Sequence, residues 1–309
     1  MGYDLTLFQT AYIVERFFGG APLRRIALDF RNNFGLPISA ATILRRVVEI
    51  IKTVDGSLRY LMDAERTETG HPNFGFTPVL GDIWEIDEIY LQIGRKRFPL
   101  IVVKDLKTCF IVAAKLAKST TIKTVSEVLV CARETANKYP RELRGDGHPA
   151  YPRAVKCAFG RRTKLTIHKK VGQMGQDQSI EGTFGSAIRS RIKRMRSLHS
   201  LEKSPIIIRG LILDYLFARP CEALNGQTPA ELAMAWNPID GKRGWPALLQ
   251  LAKHYGKIRF PAKKKGQVCV TQRQTTLDES LLVEKKTMKK GRRVPWDRNK
   301  QLQLGSFLT

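Results

Sequence analysis

Three carboxylates stand apart by their settings: Asp87, Asp146 and Glu181. Asp87 lies inside the run Trp84-Glu85-Ile86-Asp87-Glu88-Ile89-Tyr90, Asp146 sits between Gly145 and Gly147, and Glu181 opens an arginine-rich stretch, with 34 residues between Asp146 and Glu181. Oxygen ligands drawn from a strand, a strand end and a helix suit a pair of Mg²⁺ ions. Such a pair clamps the attacking and leaving oxygens of a phosphodiester.

Each acid also has a plain structural explanation: a buried salt bridge for Asp87, an Asp-Gly turn for Asp146, an ordinary helical glutamate for Glu181. Three physical points favour chemistry. A charge in the middle of an apolar strand is costly unless a metal, a base or a shifted pKa relieves it. The glycines beside Asp146 leave the backbone open to close approach by a metal or a phosphate. On a helix, Glu181 shares its face with Phe184, Gly185, Ile188, Ile192 and Met195 rather than with the solvated side. Strand alternation puts Glu85 on the face of Asp87 and turns Glu88 the opposite way.

The rest of the chain is basic: 53 Lys and Arg against 28 Asp and Glu, a formal charge of +25 over 309 residues. A surplus of that size speaks of partners rather than fold, and nucleic acid is the polyanion it suits. Cys109, Cys131, Cys157, Cys221 and Cys269 are scattered, with no C-x-x-C pair or Cys/His cluster to suggest zinc. The expectation is reduced thiols in a cytoplasmic protein with neither a signal peptide nor a spanning helix.

Apolar periodicity predicts helices over 4–18, 22–33 and 40–54, with Ser39 capping the third. The last two suggest a helix-turn-helix in which Thr42, Arg45 and Arg46 face a DNA groove or its phosphates; the plain alternative is a helical hairpin with solvated arginines. Residues 63–80 read as a linker. Strands follow at 83–93, 97–104 and 108–115, then a helix over 120–138 capped by Ser119 or Thr120. A strand at 141–145, a short helix near 150–158, a strand at 163–168 and a helix over 178–195 complete the pattern. Arg189, Arg191 and Arg194 on that last helix are placed to hold a DNA backbone. An apolar helix over 203–219 and a short one at Thr228-Pro229-Ala230-Glu231-Leu232 come next, and beyond about residue 240 basic clusters lose periodicity.

This order predicts an α/β chain. A helical N-terminal region (1–62) carries the helix-turn-helix, and a linker (63–80) leads to a ribonuclease-H-like core (81–238), a mixed five-stranded sheet with flanking helices. A basic C-terminal extension (239–309) follows. In that topology the first and fourth strands are neighbours, bringing Asp87 and Asp146 to one place.

The residues Trp84, Asp87, Glu88 and Tyr90, the spacing from Asp146 to Glu181, the upstream helix-turn-helix and Thr228-Pro229-Ala230-Glu231 together resemble DDE transposases of prokaryotic insertion sequences. The chain is most similar to the group known as insertion-sequence family six. The resemblance implies Mg²⁺-dependent DNA cleavage and strand transfer, with Asp87, Asp146 and Glu181 holding two ions for which Mn²⁺ can substitute. It further implies binding to double-stranded DNA, both terminal inverted repeats and target. A homodimer or larger synaptic assembly and a nucleoid-associated place in a prokaryotic cytoplasm are also implied. Gly182 and Ile188 stand where the family usually has polar or basic residues. They motivate a second expectation, a transposase-derived, non-catalytic DNA-binding protein.

Overall fold

The computed structural model describes residues 5–67, 77–167, 185–194, 198, 200–234 and 243–255. Three helices open the chain: α1 (Leu7–Phe18), α2 (Leu23–Phe34) and α3 (Ala40–Thr67). Each boundary has a local cause. Thr6 and Gln9 form a reciprocal capping box on α1. Gly35 ends α2 at φ 65°, and the Leu36 N–H returns to the Phe30 carbonyl at 3.1 Å. Ser39 Oγ accepts from the Thr42 N–H at 3.1 Å, the predicted cap of α3.

α3 is 28 residues long and runs through Thr67, well past the expected end at 54 and into the expected linker. Its extension has an apolar face: Leu58 and Leu61 are buried along with Ile43, Val47, Ile51 and Val54. A continuous stripe of this kind lets tertiary packing propagate a helix through Gly56, where propensity alone would weaken it.

The sheet has the order β3-β2-β1-β4-β5. Strand β1 (Ile83–Ile93) pairs antiparallel with β2 (Lys96–Asp105), which pairs antiparallel with β3 (Ile111–Leu116). On its other side β1 pairs parallel with β4 (Glu142–Gly145), and β4 with β5 (Lys164–Ile167). Hairpins join the first three strands. The parallel pairs use helical crossovers, α4 (Ile122–Ala136) and α5 (Tyr151–Phe159), as parallel neighbours require. Thr121 caps α4, one residue later than predicted, in a box with Thr124. This is the predicted ribonuclease-H-like arrangement, a mixed five-stranded sheet flanked by helices and preceded by a helical region.

Helices α6 (Ser186–Arg194), α7 (Ser204–Leu213), α8 (Pro229–Ala233) and α9 (Trp245–Tyr255) follow. The predicted helix over 203–219 changes character at Asp214, where a π-helical turn runs to Ala218. Helix α9 lies where only a basic extension was expected, and it packs against α1 and α3. Trp245 is wholly buried and stacks on Phe18, ring centroids 5.2 Å apart at 8°. Its indole N–H donates to Asp214 at 3.0 Å. One hydrophobic core thus joins the N-terminal helices to the sheet layer. Across it, Arg209 of α7 meets Asp55 of α3 at 2.6 Å, and Arg59 reaches the same carboxylate at 2.9 Å.

Candidate metal centre

β1 is longer than β4, and that difference builds the site. The parallel ladder ends where Ile86 pairs with Gly145. Asp87 and Asp146 are each the next residue, so they emerge side by side where β4 stops and β1 continues. One carboxylate oxygen from each of Asp87, Glu88 and Asp146 can be chosen so that all three lie within 4.8 Å of one another. The two predicted aspartates do converge.

Backbone donors fix both aspartates. Asp87 Oδ1 accepts the Glu88 N–H at 2.8 Å, and Asp146 Oδ1 accepts the His148 N–H at 3.0 Å. The Ala150 N–H donates to His148 Nδ1 at 3.1 Å. Gly147 holds φ 89°, a left-handed conformation that turns the chain away after Asp146. The two flanking glycines therefore have distinct jobs: Gly147 makes the turn, while Gly145 leaves room for the Tyr151 ring.

Glu88 corrects the expectation drawn from strand alternation. Parity does place it on the other side of β1 from Asp87, yet its carboxylate joins the group. Beyond Gly145 no β4 residue pairs with β1, so side chains from both faces can reach around the open edge. Burial pushes the Glu88 carboxyl above the usual range, and the charge of Asp146 pushes it further, against the lowering influence of Tyr151, His148 and Thr120. The Tyr151 phenol is raised well above its ordinary value, first by burial and then by Glu88, Asp146 and Asp87. The sequence signal for Glu88 was its adjacency to Asp87.

Glu85, which shares the face of Asp87, stands opposite Lys104 in the β1–β2 register. The Lys104 ammonium is buried, which lowers its pKa, while Cys109 and Glu85 oppose that shift. Glu85 thus faces a buried cation rather than joining the acidic group.

Glu181 lies outside the described residues, as does most of the first half of the helix predicted over 178–195. The described second half is α6, with Ile188 and Ile192 buried as the periodicity required. Its arginines divide. Arg189 and Arg194 are exposed, and the stem of Arg194 lies over Gly20 in the turn between α1 and α2. Arg191 turns inward to Asp214 at 3.6 Å with its side chain only 17% exposed. On α3 Arg45 is exposed, and Arg46 pairs with Glu49 at 3.3 Å. The Thr42 hydroxyl lies 2.9 Å from that of Ser39, within the cap of α3.

The acidic group fits a hard divalent cation by its donors. All three are carboxylate oxygens, the ligand type Mg²⁺ and Mn²⁺ prefer, with no thiolate or imidazole in the set.

No protein-family model matches the chain, and no curated protein does. Among solved structures, the magnesium-bound HTLV-2 integrase catalytic core domain in its trimeric form is similar at 14% identity and a TM-score of 0.39, covering 50% of this chain and 97% of that one. A simian T-cell lymphotropic virus intasome bound to a PP2A regulatory subunit is similar at 13% identity and a TM-score of 0.40, covering 85% of this chain and 78% of that one. At these scores the fold stands on the strand order and register given above.

Proposed function

We propose that this protein is a DDE-type DNA transposase of the kind found in insertion-sequence family six. The observation that carries the reading is the convergence of Asp87 and Asp146 at the open edge of β1, reached through the 86–145 register. With Glu181 they would hold two Mg²⁺ ions, or Mn²⁺ in their place. Such a pair, when bound, supplies an activated oxygen nucleophile and stabilises the departing 3′-oxygen. The chain's own contribution is placement. Asp87 and Asp146 are pinned by backbone donors, so neither needs to reorganise when a scissile phosphate arrives.

DNA binding rests on the surplus of basic residues. Arg189 and Arg194 on α6, and Arg45 on α3, present exposed guanidinium groups to a phosphate backbone. Thr42 and Arg46 lie beside Arg45 on the first turns of α3, the helix we assign to terminal-repeat recognition. Arg191, predicted for the same task, is engaged by Asp214 and serves the fold. Two copies would pair the two element ends in a synaptic complex.

The test is an assay in Mg²⁺ or Mn²⁺ with DNA carrying the flanking element ends, wild type beside Glu181→Gln, with cleaved and joined products resolved separately. Joined products from wild type that vanish in the variant support the reading. Tight end binding with no product from either protein favours the competing one, a DNA-binding descendant that has lost chemistry. The burial of Ile188, which cannot reach DNA, is the observation behind that alternative.

A further inference from the structure

Glu88 has no role in the three-acid scheme, yet its surroundings are not those of a structural salt bridge. No Lys or Arg pairs with it among the described ion pairs. Its Oε1 is cut off from solvent without a hydrogen-bond partner, and so are the Tyr151 hydroxyl and Thr120 Oγ1. Tyr151 has 0% relative exposure, and its hydroxyl is close enough to feel the charges of Glu88, Asp146 and Asp87. The phenol and Glu88 are thus near neighbours that fall short of full hydrogen-bond geometry. Thr120, at the start of the α4 crossover, faces Glu88 in the same way.

Buried oxygens left in this condition cost about 1–3 kcal/mol each. Those of a fixed active centre are commonly satisfied by an ion or a bound water. The geometry admits an ion. Two oxygens bound to one cation can be no more than two bond lengths apart, about 4.2 Å for Mg²⁺ and about 5 Å for Ca²⁺. The Asp87, Glu88 and Asp146 oxygens lie within 4.8 Å of one another, inside the Ca²⁺ limit and little beyond that for Mg²⁺.

We infer that Glu88 supplies a third carboxylate to the divalent cation held by Asp87 and Asp146, and that the Tyr151 hydroxyl, packed over Gly145, orients it. The inference rests on the proposed metal centre and adds two residues to it, one ligand and one positioning group. Tyr151 is well built for the second role. Its ring is held against Gly145 at the strand end that carries Asp146, so one side chain couples the placement of both acids. Outer-shell partners of this kind commonly change metal affinity about 10–100-fold when removed.

The experiment measures Mn²⁺ binding directly, with the full-length protein and no DNA, by the loss of the free-Mn²⁺ electron paramagnetic resonance signal. Wild type, Asp87→Asn, Glu88→Gln and Tyr151→Phe are titrated in parallel, and the melting temperature of each is recorded without metal. We expect Glu88→Gln to weaken Mn²⁺ binding about tenfold or more, and Tyr151→Phe several-fold with an unchanged melting temperature. Tyr151→Phe keeps the ring on Gly145 and removes only the hydroxyl, so it remains informative even where Glu88→Gln fails to fold. Wild-type affinity in both Glu88→Gln and Tyr151→Phe, with binding lost in Asp87→Asn, overturns this inference and leaves the aspartate centre standing. Equal binding by wild type and Asp87→Asn, or none by wild type, overturns the centre and the inference together.

Discussion

Gly145 lies against the ring of Tyr151: a Cβ on Gly145 would stand 2.9 Å from both Cδ2 and Cε2 of the ring and 3.2 Å from Cγ2 of Ile86. The end of β4 is therefore clamped between the first helix after the site and the strand that carries Asp87. Gly145→Ala must push the ring or the strand end aside, and Asp146 moves with it. The expected cost is about 1–3 kcal/mol of stability, the usual range for overpacking. Metal-dependent activity should fall with it. Thermal melts and the strand-transfer assay, run on the same preparation, check both.

Two glycines on facing helices should respond to alanine with opposite signs. Gly56 is exposed in the middle of α3 and nothing lies within 4 Å of an added Cβ. Gly56→Ala should raise stability by about 0.5–1 kcal/mol, because the helix gains propensity at no steric cost. On α7, a Cβ at Gly210 would run into the Phe18 ring and come within 2.7 Å of Ile51 Cδ1. Gly210→Ala should destabilise by about 1–3 kcal/mol. Urea denaturation of the two variants tests whether α7 seats on α1 and α3 as described. Equal small effects would contradict it.

Asp214 carries a pH prediction. Burial raises its pKa above the usual carboxylate range, against the pull of the Trp245 indole and of Arg191. A carboxyl with a raised folded pKa binds more protons in the folded chain than in the unfolded one. Its contribution to stability is thus fully present below the unfolded value of about 3.9 and falls as pH rises through the raised value. Asp214→Asn does not titrate and still offers an acceptor to the indole. The melting temperature of the variant relative to wild type should therefore climb across that window. A difference that stays flat with pH would show that the carboxyl is not raised.

Charge removal at single arginines separates surface from core. Arg45→Ala and Arg189→Ala should weaken DNA binding for all sequences alike and reduce the slope of log K against log salt by about one each. Arg191→Ala should act mainly on stability, since it strips Asp214 of its cation in a partly buried setting. Fluorescence anisotropy at several salt concentrations, beside a melt of each variant, tells the two behaviours apart.

The legible part of the sequence was what strand and helix periods encode. The apolar alternation around Trp84 and the Gly145-Asp146-Gly147 turn fixed where β1 and β4 run, and with them the meeting of Asp87 and Asp146. Glu88 was left out of the acidic group because alternation assumes neighbours on both sides of a strand, and β1 loses one beyond Ile86. The length of α3 was missed because the apolar repeat was followed only to Val54 and residues 63–80 read as a linker, whereas Leu58 and Leu61 bury the continued stripe. Helix α9 was hidden for a similar reason. The basic clusters beyond about residue 240 lose periodicity, and only the stacking of Trp245 on Phe18 reveals a core element. Arg191 resembled its neighbours in sequence, and nothing local marks Asp214 as its partner.

Joining of a pre-cleaved DNA end with a free 3′-hydroxyl to target DNA, by wild type and by Asp146→Asn, tests the Asp87–Asp146 centre most directly. Wild type is expected to join in Mg²⁺ and to stop on chelation, while the variant binds the end with wild-type affinity and yields no joined product. Joining by Asp146→Asn at the wild-type rate, or by wild type after chelation, would contradict it.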